Sequence, residues 1–462
     1  QFASSAASDV YKRQHLIRMN KQKNFKIQAL ILSLFLISLD AYSLFSIPLQ
    51  WIGLSFLSLF LLINLKFIET RFNSIFYIFV TLLFLPILFE IISDNSLLGN
   101  LSYQLRIFNF VTFVMAFYAS HTIFENINKE DFINYLEKFL FLISLLAIYI
   151  FFSQIFDLYE PIRNRSNTSY RGSFTIQTTF WPYEPHRAMS TFREPVLFIS
   201  YMIPLSLILF FEKNKISFYT ILTISLALGL SRSDLLRIYI FLGLILYVVI
   251  SLYKKSFKVR KVLPLILILL FSLISIKECA VSPNNQECKE LNIATDIRVI
   301  SFEDIDSVTE VDNDRSNTLD YLTSGNINFV GEGFNSIVKN FQNYVTEEIN
   351  KEMYLTNRVL PEYLNSRYQA QNFGTGDYPT VFYPRNTQSL FVNLLAAFGI
   401  FPLIIISLLL YVLVSKRKNT RVVEFIFLTS FFFIVPIEEF NALTGLILGY
   451  AYTILIRKQI IE

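Results

Sequence analysis

About a dozen stretches of this chain are almost entirely apolar, and each is long enough to cross a bilayer as a helix of roughly 17–25 residues. Short polar connections and two long ones separate them, so the pattern predicts a row of transmembrane helices. The predicted spans lie near 27–46, 49–66, 73–92, 103–122, 136–156, 194–212, 215–231, 234–252, 261–277, 388–414, 421–436 and 439–456.

The connections alternate in charge, and this alternation predicts the side of the membrane on which each lies. Short connections near Pro48 and within 94–102 and 436–440 carry no Lys or Arg, whereas the intervening connections do. By the positive-inside rule, both termini are cytoplasmic and the long segments 157–193 and 278–387 are periplasmic. Arg232, in a short turn on the outer side, is the exception to this rule.

The composition changes this picture little. Of 462 residues, 53% are hydrophobic and 16% are charged, whereas a soluble domain carries about 25% charged residues. A chain this apolar could not cover its own surface in water, so lipid is its expected solvent. The formal net charge of +4 gives no indication of a nucleic-acid partner.

The predicted fold class is an all-α, polytopic integral membrane protein with about 12 transmembrane helices and a large, mostly helical periplasmic loop. Residues 19–277 would hold the first nine spans, 278–387 the large loop, and 388–462 the last three spans. Residues 1–18 resemble a translated cloning scar, so we predict a non-native or disordered tail before Met19.

The two cysteines, Cys279 and Cys288, both fall in the large loop. A disulfide between them is plausible in an oxidising compartment, and two free thiols are the equal alternative. No cluster of His or Cys accompanies them, so we predict neither a metal site nor a cofactor.

Arginines near the outer face are the main chemical signal. Charge at membrane depth is expensive and usually marks a partner or a site, and arginine suits bidentate contact with phosphate. Arg193 stands at the start of a span and Arg232 in a short outer turn, so we interpret both as functional. For Arg106 and Arg237, one turn inside their spans, snorkelling to lipid headgroups is the stronger explanation.

Two further side chains near Arg193 are candidates for proton transfer. Glu194 precedes Pro195 and suits the first turn of a helix, where it would either pair with Arg193 or act as a base or orienting group. His186, in the first long loop, is either a general base or simply solvated.

Four segments follow one another in an informative order. They are Ser190-Thr191-Phe192-Arg193-Glu194-Pro195; Leu230-Ser231-Arg232-Ser233; Asp314-Arg315 with Phe329-Val330-Gly331-Glu332-Gly333-Phe334; and Gln388-Ser389-Leu390-Phe391 through Phe398-Gly399-Ile400. Together with the large loop before the last spans, they resemble the O-antigen polymerase (Wzy) and O-antigen ligase superfamily of bacterial polysaccharide enzymes. Gln388 stands where this family often has His, which weakens the ligase interpretation more than the polymerase one.

The resemblance implies glycosyl transfer at the periplasmic face of the bacterial inner membrane. The donor would be a growing glycan on undecaprenyl pyrophosphate and the acceptor a new repeat unit on the same lipid, with flippase and chain-length regulator proteins as further partners. A ligase that moves finished glycan to an acceptor, and a flippase or transporter of lipid-linked oligosaccharide, are the alternatives. The candidate catalytic residues are Arg193, Glu194, Arg232 and Arg315, and the candidate substrate contacts are Arg106, His186, Arg187, Arg237, Arg385 and Gln388.

Overall fold

The computed structural model describes residues 25–40, 42–44, 47–64, 85–92, 101–156, 188–192, 195–213, 215–231, 234–253, 259–278, 289–293, 331, 333, 369–371, 380–382, 395, 397–400, 403, 407 and 441–456. Helices dominate these residues, in agreement with the predicted class. The helices are α1 (Phe25–Ser38), α2 (Leu49–Asn64), α3 (85–92), α4 (Leu101–Asn126), α5 (Lys129–Phe156), α6 (Pro195–Glu212), α7 (Phe218–Gly229), α8 (Asp234–Tyr253), α9 (Val259–Phe271) and α10 (Ala442–Ile456).

Three short antiparallel ladders accompany the helices. They pair β1 (Ser43–Leu44) with β2 (Ile47–Pro48), β3 (Ile274–Glu278) with β4 (Lys289–Ile293), and β5 (Gln369–Gln371) with β6 (Thr380–Phe382). The last two ladders fall within or next to the loop 278–387. The described residues of that loop that have secondary structure are in strands, and the helical patterns predicted for the loop at 335–343 and 347–355 lie outside the described residues.

One helix among the described residues is long and apolar enough to cross a bilayer, namely the 24-residue part Lys129–Phe152 of α5, with a mean hydropathy of 1.9. Helices α7 and α9 have only 12 and 13 residues, which is about 18–20 Å against a hydrocarbon core of about 30 Å. Helix α1 likewise ends at Ser38, although the predicted span ran to residue 46. The number of spans therefore stays a prediction.

Local capping explains where several helices begin. Pro195 opens α6, where its missing N–H is not needed. Asn128 precedes α5, and its Oδ1 accepts the Glu130 N–H at 3.2 Å. Asn441 does the same for α10, because its Oδ1 accepts the Thr444 N–H at 3.0 Å. Each cap satisfies a donor that has no partner within its helix.

Helix α10 packs closely and in parallel against α4. The backbone of Gly445 lies against the Phe113 carbonyl, and that of Gly449 lies one turn further along, against Phe117. A Cβ at Gly449 would lie 3.0 Å from the Phe117 Cα, so a side chain there would push the helices apart. Small residues four positions apart are typical of close helix pairs in membranes. Both helices were predicted to run from the outer to the inner side, and their parallel packing agrees with that.

A polar cluster at one end of the bundle, which we call the lysine end, joins α5, α6 and α7. The Lys213 Nζ donates to the Glu137 Oε2 at 2.5 Å, and the Ser217 N–H donates to the Glu137 Oε1 at 3.4 Å. Lys129 forms an ion pair with Glu212. Two lysines that were predicted to lie on the same side of the membrane, Lys129 and Lys213, therefore lie at the same end of the bundle.

Candidate functional site

The short turn 188–192, which leads directly into Arg193, is buried between helices. The Thr191 Oγ1 donates to the Ser38 carbonyl at the end of α1 at 2.5 Å, and the Ser190 Oγ donates to the Ile143 carbonyl of α5 at 3.1 Å. All five residues of the turn are buried. The turn therefore joins the end of one helix to the middle of another.

The shape of this turn is set locally and then held by packing. Ser190 has φ +50°, a left-handed conformation that few residues other than glycine adopt. The Phe192 N–H donates to the Met189 carbonyl at 3.0 Å and closes the turn. The Phe192 ring then packs against Tyr201 with 5.2 Å between centroids, and the Tyr201 hydroxyl donates to the Leu34 carbonyl at 2.5 Å. Helix α6 is thereby fixed against α1.

The same turn contacts the end of α7, which leads into Arg232. The Ala188 N–H donates to the Leu230 carbonyl at 3.0 Å. Ser231 is buried, and its Oγ donates to the Leu228 carbonyl at 2.5 Å. The chain segments that lead into Arg193 and Arg232 are therefore hydrogen-bonded to each other.

The end of α9 completes this arrangement. The Gly229 backbone lies so close to α9 that a Cβ there would be 2.9 Å from the Ser272 nitrogen. From α8, the Arg237 Nη2 donates to the Ser272 carbonyl at 2.5 Å and its Nε donates to the Ser272 Oγ at 3.2 Å. A cation is favoured at a helix C-terminus because it compensates the unpaired carbonyls there. The structure thus gives Arg237 a helix-capping contact.

Together these residues form a buried polar junction. We use this name for Ser38, Ser190, Thr191, Ser231 and Ser272, all of which are buried. Asp40, two residues beyond α1, is buried as well. The Ser144 hydroxyl, next to Ile143 in the chain, is buried and has no hydrogen-bond partner among the described residues. The described helices α1, α7 and α9 therefore end at or beside one buried polar layer.

The polar junction lies well inside the bundle and not at its end. Helix α5 continues from Ile143 for a further 13 residues, to Phe156, which is about 20 Å. On the other side of Ile143, α5 runs back to Lys129 at the lysine end. The polar junction therefore lies about midway along α5.

A second polar site, which we call the carboxylate seat, consists of Glu90 on α3 and Tyr103 on α4. Both side chains are buried, and the Tyr103 hydroxyl donates to the Glu90 Oε2 at 3.0 Å. Burying a carboxylate is costly unless it is hydrogen-bonded, and this bond meets part of that requirement. Arg106 is half-buried on α4, one helical turn from Tyr103.

Gly333 of the large loop lies on this seat. Gly333 has φ +81°, and a Cβ there would come within 3.0 Å of the Glu90 Oε1. The Gly333 N–H donates to the Ala397 carbonyl at 3.1 Å. Gly331, with φ +93°, packs in turn against Ala397 and the nitrogen of Gly399. The structure thus brings together the glycine segment of the large loop and the Phe398-Gly399-Ile400 segment.

Of the ten predicted site residues, the structure describes two. Arg106 lies next to the carboxylate seat, and Arg237 caps α9. The other eight lie outside the described residues; they are Arg193, Glu194, Arg232, Arg315, His186, Arg187, Arg385 and Gln388. Both cysteines also lie outside the described residues. For Arg193 and Arg232, the structure describes the residues immediately before them, and these residues pack together.

Sequence reasoning missed Glu90, the residue with the clearest structural position. Its signal was available, because Glu90 is a lone carboxylate within the apolar stretch 73–92, and a charge at such a place indicates a functional site. The contact of Glu90 with Gly333 had no comparable signal. In the described part of the chain, no group of three or more His, Cys, Asp or Glu residues could hold a metal ion.

Comparisons with protein-family models, with curated proteins and with solved structures gave no match. The family resemblance therefore rests on the four sequence segments themselves. In the structure, Ala188, two residues before the first segment, is hydrogen-bonded to Leu230 of the second, and Gly331 of the third segment packs against Gly399 of the fourth.

Proposed function

We propose that this protein is a polysaccharide polymerase of the bacterial inner membrane. It would join undecaprenyl-pyrophosphate-linked repeat units into an O-antigen or capsule-like polymer at the periplasmic face. One observation carries the proposal: the Ala188 N–H donates to the Leu230 carbonyl at 3.0 Å, which joins the segments leading into Arg193 and Arg232. Arg193 and Arg232 each come directly after one of these two joined, buried segments. Two permanently charged arginines held near each other in this way would suit a doubly charged pyrophosphate.

In the proposed reaction, an acceptor hydroxyl attacks the anomeric carbon of the donor glycan. A new carbon–oxygen bond forms there, the bond from that carbon to the pyrophosphate oxygen breaks, and the lipid pyrophosphate leaves with the electron pair. Glu194 or His186 would accept the hydroxyl proton. Arg193, Arg232 and Arg315 would stabilise the charge that develops on the leaving group.

The depth of the polar junction adds a requirement to this proposal. Since α5 continues for 13 residues past Ile143, or about 20 Å, a charged headgroup could approach the junction only through a water-filled opening. We therefore expect Arg232→Cys to react with a membrane-impermeant thiol reagent added from the outer side. Protection of this cysteine in intact spheroplasts, despite labelling after solubilisation, would contradict the outward-facing site.

The direct test is the length of the glycan in cells that lack the native gene and carry Arg193→Ala or Arg232→Ala. We expect single repeats in place of long polymer at normal protein level. Lys215→Ala, which removes an exposed charge near the lysine end, is the matched control and should leave long polymer. Long polymer in both arginine variants would overturn the assignment. Polymer that accumulates on undecaprenyl pyrophosphate in the deletion strain would instead indicate a ligase.

A flippase or transporter of lipid-linked oligosaccharide is the second candidate, because short helices that end at a polar layer inside a bundle are typical of transporter binding sites. Helices α1, α7 and α9 all end at or beside the polar junction. Purified protein in detergent separates the two candidates, since no bilayer is present to cross. Elongation of lipid-linked repeats under these conditions favours the polymerase, and transport in vesicles without elongation favours the flippase.

A further inference from the structure

Among the described residues, Gly333 of the large loop contacts the buried carboxylate Glu90. Glu90 is 6% exposed, on an otherwise apolar part of α3. An apolar side chain could pack against a glycine turn without the cost of burying a carboxylate. The presence of a carboxylate at this position therefore needs a reason other than packing.

Two neighbours define the position of the Glu90 carboxylate. The Tyr103 hydroxyl donates to the Glu90 Oε2 at 3.0 Å. The Gly333 backbone lies against the same carboxylate, because a Cβ there would meet Oε2 first and would also come within 3.0 Å of Oε1. Because Gly333 has φ +81° and donates its N–H to Ala397 at 3.1 Å, the turn has little freedom to shift away.

We propose that Glu90, held by Tyr103, is a positioning residue on which the Gly331–Gly333 turn docks, so that the large loop is held over the helical bundle in its active arrangement. This inference rests on the proposed function, because that loop carries the candidate catalytic residue Arg315. Glu90 acts through the loop and has no contact with the reacting atoms. The Glu90 carboxylate sets the distance between the Gly333 backbone and α3, and the absence of a side chain at Gly333 permits the contact.

Suppression between two positions tests the contact directly. Gly333→Ala places a methyl group against the Glu90 carboxylate. Glu90→Asp withdraws that carboxylate by one methylene group, so it should relieve the clash and keep a docking group. Glu90→Ala removes the docking group, so it should not restore the position of the loop. Gly331→Ala is the matched control, because Gly331 also has positive φ (+93°) but packs on Ala397 and Gly399. Neither change at Glu90 should rescue it.

The first readout is the rate at which purified protein elongates lipid-linked repeats in detergent, per amount of folded protein. A displacement of about 1 Å in a catalytic arrangement can lower a rate about 100-fold, so we expect a loss of about that size in Gly333→Ala. Glu90→Asp in that background should recover about tenfold, as contacting residues commonly do, and Glu90→Ala should not. Equal rescue of Gly331→Ala by Glu90→Asp, no rescue of Gly333→Ala by Glu90→Asp, or equal rescue of Gly333→Ala by Glu90→Ala would overturn the docking role.

The second readout does not depend on the proposed activity. The rate of protease cleavage in the loop 278–387 of the membrane-embedded protein should rise in Gly333→Ala, fall again when Glu90→Asp is added, and stay high when Glu90→Ala is added. The same cleavage pattern in all variants would refute the docking. If the wild-type protein does not elongate repeats, the proposed function fails, while the cleavage pattern still decides whether the turn docks on Glu90.

Discussion

Replacing Thr191 by Val tests whether the polar junction holds the turn 188–192 in place. The two side chains have nearly the same shape, but valine cannot donate the hydrogen bond of 2.5 Å from the Thr191 Oγ1 to the Ser38 carbonyl. Ser38 is the last residue of α1, so its carbonyl has no partner within the helix. Both residues are buried, and the carbonyl would be left without a donor among the described residues.

The expected loss is that of an unsatisfied buried acceptor, about 1–3 kcal/mol. A change of 1 kcal/mol moves the thermal midpoint of a protein of about 150–250 residues by about 2–4 °C, and that of a longer chain by less. We therefore expect Thr191→Val to lower the midpoint by about 2–5 °C. Since the same turn leads into Arg193, the modal glycan length in cells should also fall.

Midpoints of detergent-purified variants, measured at one scan rate, provide the assay. Thr191→Ser keeps the hydroxyl and should remain close to wild type. Thr112→Val is a second control: Thr112 is also buried, but its Oγ1 donates at 2.9 Å to the Asn109 carbonyl within α4, three residues earlier in the same helix. A wild-type midpoint and wild-type glycan in Thr191→Val would refute the reasoning, and so would equal losses in Thr191→Val and Thr112→Val.

Four further predictions concern other parts of the molecule. Tyr103→Phe should lower the thermal midpoint through loss of the hydrogen bond in the carboxylate seat, worth about 1–3 kcal/mol, and should speed protease cleavage of the large loop; unchanged values would argue against the seat. Gly449→Ile should separate α10 from α4 at a cost of about 1–3 kcal/mol, seen as a lower midpoint than that of Gly449→Ala. Arg237→Lys should lower the midpoint, because lysine cannot reproduce the two bonds to the end of α9, and should leave glycan length near wild type; single repeats at normal protein level would indicate a substrate contact instead. The described pairing of β3 with β4 ends at Glu278 and Lys289, and Cys279 and Cys288 are the next residues in the sequence; we expect non-reducing peptide mapping to find them linked, and two free thiols would contradict this.

Local pattern predicted most helix positions well. The predicted span 234–252 corresponds to α8 (Asp234–Tyr253), and the predicted span 194–212 to α6 (Pro195–Glu212). The reason is that helix formation and termination depend on residues within one or two turns. The same locality explains the errors at α1 and α9: an average of hydropathy over about 19 residues passes across Asp40 or Ser272 and extends the span beyond the true end of the helix.

The functional contacts could not be predicted in this way. Arg237 was a candidate because it is a charged residue within a predicted span. Only the packing of α8 against α9 shows that its guanidinium donates to the Ser272 carbonyl and so caps α9. Glu90 could have been selected as a lone carboxylate in an apolar stretch. Its partners could not, because Tyr103 lies on the next helix and Gly333 lies far along the chain.

By itself, the sequence determined the helical class of the described residues, the approximate helix positions and the residues that carry charge into apolar surroundings. These follow from composition and from short-range periodicity, which act within each segment. Only the tertiary structure decided that several helices end at one buried layer and that Gly333 lies against Glu90. The bond between Thr191 and Ser38 joins residues 153 positions apart, and such a contact depends on how whole helices pack, which no local pattern records.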